Sequence, residues 1–286
     1  MHRLAAAFVV LLVLGSAPPA RAQLALAADN PVVYGHLHLN ATPATIPLQK
    51  RFWADALGGT LMTIGTQNLE IVRFPNILVF WRANQAPTAG SKGSTADHVG
   101  FSVPALPVVL ERVRANGFTV VTRDEVPASE AVHDGIVTRG TTRLAFVMGP
   151  DHAKVELVEQ PKQTEPIRLH HMHFFTHQNE QMRAWYEKTF GASPRPGGGA
   201  FISATLPGVT LNFTPVAEPV AATTGRVYDH IGFEVKNLEE FCKRLEAQGI
   251  KLTVTYRRIA ALDTAIAFVT DPWGTSIELS DGLAKF

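Results

Sequence analysis

Apolar and polar residues along this chain fall into short blocks that recur in a fixed order. Pro31 to Leu39 reads as a strand, and its period of two sets His36 and His38 on one face. Residues 45–57 carry Ile46, Leu48, Phe52, Trp53 and Leu57 at helical spacing, and Gly58-Gly59 stops the run. Strands over 69–74 and 76–81 follow, joined at Pro75, and then a loop over 86–95 rich in Pro, Gly, Ser and Thr. The next block opens with a strand at Asp97 and a helix over 104–116 capped by Gly117. Strands near 118–122, 135–139, 142–148 and 155–158 complete it.

After the polar, proline-bounded stretch 160–166 the order restarts. Residues 168–176 form a strand with His170, His171 and His173, 179–190 a helix stopped by Gly191, and 200–206 and 209–215 two strands. A further strand starts at Asp229. A helix over 238–248 and strands near 251–256, 265–270 and 275–279 then close the chain. Strand, helix and three strands are thus performed four times. With short helices and mostly hairpin-length links, this predicts an α+β protein whose helices lie outside curved sheets.

The repetition is literal in places. Asp97-His98-Val99-Gly100-Phe101-Ser102-Val103 returns as Asp229-His230-Ile231-Gly232-Phe233-Glu234-Val235. Phe146-Val147-Met148-Gly149-Pro150-Asp151 answers to Phe268-Val269-Thr270-Asp271-Pro272-Trp273, and each ends at the same offset on a glutamate, Glu156 or Glu278. Such self-similarity divides the chain into halves, 31–160 and 167–283, with 160–166 as the linker.

Composition narrows the function classes. Arg3, the apolar run Leu4 to Leu14 and Ala20-Arg21-Ala22 have the layout of a secretory signal peptide over 1–22, cut after Ala22. The run is too short to span a bilayer comfortably, so a periplasmic or secreted protein free of the membrane is expected after cleavage. Removing Arg3 and Arg21 takes 26 basic residues to 24, against 25 acidic, and no Lys/Arg block stands out. The electrostatic footprint of a nucleic-acid binder is missing. The single cysteine, Cys242, lies among apolar helical positions and reads as a small buried hydrophobe. The sequence is compatible with an oligomer.

Aligning the halves places His36, His98 and Glu156 opposite His171, His230 and Glu278. Two neutral imidazoles and a carboxylate suit a divalent ion with open positions, Fe(II), Mn or Zn. His38 and His173 lie two residues from proposed ligands and point into the same cups, which makes His173 a general-base candidate. Tyr256 and Arg258 alternate on a strand expected to line the C-terminal cup. Asp97 and Asp229 precede ligating histidines and are expected to face away, as strand-start hydrogen-bonding groups.

The four-unit order, the Asp-His-Val/Ile-Gly-Phe phrases and the closing Asp271-Pro272-Trp273-Gly274 with Glu278 resemble the vicinal oxygen chelate superfamily of glyoxalase I, extradiol dioxygenases and bleomycin resistance proteins. The resemblance covers Val33 to Leu279. It implies tandem cups, each of two βαβββ units, and a metal held by the first strand of each unit and the final strand of one. By that pattern His36, His98 and Glu156 serve an N-terminal cup, and His171, His230 and Glu278 a C-terminal one. The fourth, carboxylate ligand of glyoxalase I falls on Phe80 in one half and Asn212 in the other. Phenylalanine cannot ligate and an amide is a weak ligand, so glyoxalase I proper is not expected, and Asn212 joins His38 as a substrate contact. The extradiol pattern also wants a tyrosine where Phe268 stands and a histidine within 259–267, and neither is present. The expectation is an exported metal-dependent enzyme acting on a small substrate with vicinal oxygens, by lyase, isomerase or oxygenase chemistry. The alternative is a metal-free protein that sequesters a small molecule.

Overall fold

A computed structural model describes residues 32–196 and 199–286. The expected signal peptide lies outside the described residues. Among them, no helix is long and apolar enough to cross a membrane.

The first unit comprises β1 (Val32–Asn40), α1 (Ile46–Lys50), β2 (Thr60–Ile64), β3 (Leu69–Phe74) and β4 (Ile77–Arg82). Its helix continues past α1 as a π-helical turn, Arg51–Ala56, which brings Phe52, Trp53 and Ala56 all into the core. The second unit comprises β5 (Ala96–Val103), α2 (Leu106–Ala115), β6 (Thr119–Val120), α3 (Thr122–Glu125), β7 (Val132–His133), β8 (Ile136–Arg139), β9 (Thr142–Met148) and β10 (Lys154–Glu159). The third has β11 (Arg168–Thr176), α4 (Asn179–Phe190), β12 (Ser193–Arg195), β13 (Ile202–Leu206) and β14 (Val209–Pro215). The fourth has β15 (Tyr228–Val235), α5 (Leu238–Ala247), β16 (Leu252–Ile259), β17 (Thr264–Thr270) and β18 (Ser276–Asp281). The α+β class and the four βαβββ-like units hold. The sequence pattern missed β2, β7, β12 and α3, all short or mostly exposed.

The pairing of the units differs from expectation. One sheet runs β16-β17-β18-β15-β1-β4-β3-β2, so it joins the first unit to the fourth. The other runs β12-β13-β14-β11-β5-β10-β9-β8-β7 and joins the second to the third. Division into an N-terminal and a C-terminal cup is therefore corrected: each cup takes one unit from each half. The seams are antiparallel ladders between first strands, β1 with β15 and β5 with β11. Stretch 160–166 links β10 to β11 inside one sheet. Crossing between sheets falls to 83–95 and 216–227, which are stitched together by Thr95 N to Ala221 O at 2.9 Å and Val227 N to Ala89 O at 2.9 Å.

One continuous core holds the two cups together. It takes in Tyr34 and Leu37 of β1, Phe101 of β5, Met172 and Phe174 of β11 and Phe233 of β15, and the helices' Trp53, Leu110, Tyr186 and Leu245. The Tyr34 hydroxyl donates to Met172 Sδ across the cups at 3.7 Å, and Tyr228 donates to the Lys154 carbonyl at 2.6 Å. With these apolar faces committed to the core, the opposite faces of the first strands are left for polar side chains.

Candidate metal centres

Both seams carry an irregularity that sets up a site. In β1 the register with β15 shifts between Tyr34 and His36, and again at His38, where His230 pairs with His38 but Tyr228 with Leu39. Asp229 is the extra residue of that second bulge. A bulge re-aims side chains, and here it brings the Asp229 carboxylate to its neighbour's ring. Asp229 Oδ1 lies 2.8 Å from His230 Nδ1. The other cup repeats this: His98 pairs with His173, Ala96 with Phe174, and Asp97 Oδ1 lies 2.8 Å from His98 Nδ1. Both aspartates thus face their histidines rather than away, as strict alternation had predicted.

His36, His38, His230 and Glu278 converge in one cup, and His98, Glu156, His171 and His173 in the other. Within each group one ligand atom per residue lies within 4.8 Å of the rest. The six ligand candidates are all brought to such clusters, but regrouped. His36 stands with His230 and Glu278, and His171 with His98 and Glu156, because the units pair first with fourth and second with third. In the first cup Glu278 Oε2 is 2.9 Å from His230 Nε2 and 3.4 Å from His36 Nε2. In the second, Glu156 Oε2 is 3.0 Å from His98 Nε2 and 3.3 Å from His171 Nε2.

The donor sets fit a divalent ion. Aspartate at Nδ1 of His230 and His98 leaves Nε2 facing the cluster, the usual carboxylate-histidine arrangement of metal ligands. His36 Nδ1 and His173 Nδ1 are buried without a hydrogen-bond partner, and His171 Nε2 meets only the Glu156 carboxylate at 3.3 Å, outside hydrogen-bond geometry. Native interiors rarely leave such nitrogens unmatched, and a cation is one way to match them. Glycine makes the approach: a Cβ on Gly232 would lie 2.0 Å from His36 Cε1, and one on Gly100 2.1 Å from His171 Cε1. The glycine of the repeated phrase is thus the floor on which the opposing histidine rests. The sequence carried this signal in the phrase itself.

The electrostatics follow from burial and partners. Burial alone would lower His230, but its hydrogen bonds to Asp229 and Glu278 outweigh that and hold it above the ordinary value. His98 is raised in the same way by Asp97 and Glu156. Burial would raise Glu278, yet the charge of His36 and the hydrogen bond from His230 hold it well below the usual carboxylate range. His38 and His173 lack a carboxylate of their own. Burial, and then the charge of His230 or His98, pushes both well down, so they are neutral at neutral pH.

The cups differ in access. The first opens on a cavity of about 520 Å³ lined by His36, His38, Phe80, Arg257, Phe268 and Glu278 among others. Arg82 ties Asp229 at 3.0 Å on its wall. Among the described residues the second cup is filled. Val126, Val137, Leu144, Phe146 and Val158 pack into one buried cluster on its sheet. The buried Lys154 bonds Asp97 and lies 3.2 Å from Glu125 of α3, and all four of the cup's donor residues are buried.

The remaining candidates divide accordingly. His173 lies in the filled cup, its Nε2 2.7 Å from Thr214 Oγ1, and Asn212 pairs beside it and accepts from Ser203 Oγ at 2.9 Å. Neither neighbours His230, as grouping by halves had required. His38 lies in the open cup, beside Phe80, their ring centroids 5.6 Å apart. Tyr256 and Arg258 do not line the cavity. The register of β16 shifts twice, between Leu252 and Val254 and again between Val254 and Arg257, and the two shifts cancel, so Leu252 and Tyr256 share the core face. Tyr256 packs on the core and Arg258 pairs outside with Asp263 at 3.1 Å, while Arg257 takes the cup-facing position.

Residues 168–279 match the sequence model of the Glyoxalase/Bleomycin resistance protein/Dioxygenase superfamily. No curated protein matches the chain. Among solved structures, glyoxalase I from Zea mays superposes with a TM-score of 0.68 at 14% identity, over 90% of this chain and 95% of that one. A proposed dioxygenase from Bacillus subtilis gives 0.60 at 14% identity, over 88% of this chain and 87% of its own. At these identities the likeness is one of fold.

Proposed function

From a superfamily match over residues 168–279 and a glyoxalase-like fold along most of the chain, we propose a metal-dependent enzyme of the vicinal oxygen chelate type. It is exported by its N-terminal signal and acts on a small substrate through two adjacent oxygens. The chemistry belongs to the open cup of His36, His38, His230 and Glu278. The observation that carries this reading is that three imidazoles and a carboxylate converge at a cavity large enough for a small molecule.

His36, His230 and Glu278 would hold the ion, Fe, Mn or Zn, with Asp229 fixing the tautomer of His230. A divalent ion bound there would supply Lewis-acid polarisation of two adjacent substrate oxygens. The chain's own groups do the rest. His38 is neutral, half-buried and at the cavity, so a ring nitrogen can accept the proton released from the substrate. Phe80 and Phe268 wall the site with apolar surface, which excludes water and strengthens the electrostatics within. His173, first expected as the base, holds the equivalent place in the filled cup, where with His98, Glu156 and His171 it would complete a second, structural ion site.

Elemental analysis of protein purified without a His tag tests the reading. Stoichiometric Fe, Mn or Zn is the expected result. A chain that stays metal-free in the presence of each ion, yet binds apolar small molecules in the open cup, would favour sequestration instead. N-terminal sequencing of the exported protein should begin at Gln23.

A further inference from the structure

The wall of the open cavity carries a cation with nothing to hold. Arg257 lines the cavity, is exposed, and makes no hydrogen bond or ion pair among the described residues. Arg82, the other lining arginine, is engaged by Asp229. Thr264 lies two residues along β17 from Ile266, which Arg257 opposes. Its Oγ1 is buried without a partner although Thr264 lines the same cavity. An uncommitted guanidinium and an unpaired hydroxyl on one wall together mark a polar subsite.

Its distance from the metal cluster follows from strand geometry. Phe268 opposes Glu278 across β17 and β18, and Ile266 opposes Arg257 across β16 and β17. The Arg257 backbone is thus two strands over and two residues along from that of Glu278, roughly 12 Å. An extended arginine spans part of this gap and a short linker the rest. Between the two ends the wall offers Val254, Ile266 and Phe268, all apolar.

We infer that the substrate is an organic carboxylate: two adjacent oxygens at one end for the ion, a short apolar linker, and a carboxylate that takes the Arg257 fork with the Thr264 hydroxyl beside it. A planar carboxylate matches a single guanidinium in shape and charge. A doubly charged phosphate would leave one charge unmatched, since no second free cation lines the cavity among the described residues. This inference rests on the reading of the open cup as a metal centre.

The full-length mature protein, loaded with ferric iron, is titrated with dihydrocaffeate and with ethylcatechol, its decarboxylated analogue. Both present the same chelating head, and the catecholate-to-iron absorption band reports binding without turnover. Dihydrocaffeate should bind about tenfold more tightly, as expected for one charge-assisted contact. Arg257→Gln should erase that preference and leave ethylcatechol binding unchanged. Arg258→Gln, on the outer face, should keep it. Iron and catechol binding with no preference for the carboxylate, or a preference that survives Arg257→Gln, overturns the inference alone. Absence of any iron band overturns the metal reading and the inference with it.

Discussion

His36 Nε2 lies 3.4 Å from Glu278 Oε2, so a histidine of the first strand and a glutamate of the last share one site. The open cup exists only when the two ends of the chain have met. The filled cup is built inside them, from units adjacent in sequence. This places the long-range contacts of the fold in the β1–β15 ladder and makes each half of the chain incomplete by itself.

Residues 23–160 and 161–286, produced separately, should therefore each lack a partner for a first strand. Each half would expose the edge of β1 and β5, or of β11 and β15, along with the core residues Tyr34, Met172 and Phe233. Unpaired edges of this kind aggregate. Either half alone should be insoluble or unfolded, and co-expression should restore a soluble complex that binds metal. Two well-folded, independently metal-binding halves would contradict the crossed pairing.

Gly232→Ala should dismantle the open site without touching a ligand. Its Cβ would sit 2.0 Å from His36 Cε1, against a ring with no room to retreat beside Phe80. Displacing a ligand's support typically costs about 10–100-fold in metal affinity. Competitive chelator titration should report that loss for one ion and leave the ion held by His98, Glu156 and His171 unaffected. Gly100→Ala should do the converse. Unchanged affinities in both variants would mean that the rings move freely.

The repeated phrases made the units legible, and with them all six ligand candidates. They could not say which units pair. All four first strands present a similar edge, and a ladder of backbone hydrogen bonds carries no label. What alternation could not foresee were the bulges. One extra residue in β15 and in β5 turns Asp229 and Asp97 to their histidines, and the shifts in β16 set Val254 and Arg257, three residues apart, on the same cavity wall. A period-two reading fails after each bulge, and here each bulge lies at or near a site.

Proton and metal would compete for His230 and His98. In the metal-free protein their folded values lie above the ordinary 6.5, held there by aspartate and glutamate against burial. Stability from those contacts is complete below pH 6.5 and fades as the pH rises through the folded values. His38 and His173 have depressed values, so their contribution is present above 6.5 and is lost as the pH falls below it. The metal-free protein should thus be most stable near pH 6.5. Metal requires deprotonated Nε2, so affinity should rise with pH through the same range and binding should release protons. Melting curves at several pH values, with and without metal, check this. A metal-free protein that grows steadily more stable up to pH 9 would refute it.

The two cups should answer differently to loss of the same residue. His230 and His98 occupy equivalent places, each bonded to an aspartate at 2.8 Å and to a glutamate. The first belongs to the cluster whose His36, His38 and Glu278 line the 520 Å³ cavity, whereas among the described residues the second lies behind Phe146, Val126 and the buried Lys154–Glu125 contact. The polar side chains of His173 and Asn212 stand in the filled cup, so access decides the matter. Once an activity is found, His230→Ala should lower turnover by about a hundredfold to a thousandfold, the usual cost of losing one group that stabilises developing charge. His38→Ala should do likewise while retaining most of the metal. His98→Ala should leave turnover close to wild type and remove one bound ion. The lost linkage costs about 2.7 kcal/mol of stability when free metal stands at a hundred times Kd, and nothing in a chelator. Equal loss of turnover from His98→Ala and His230→Ala, each folded, would show that both cups reach substrate and that the filled one opens.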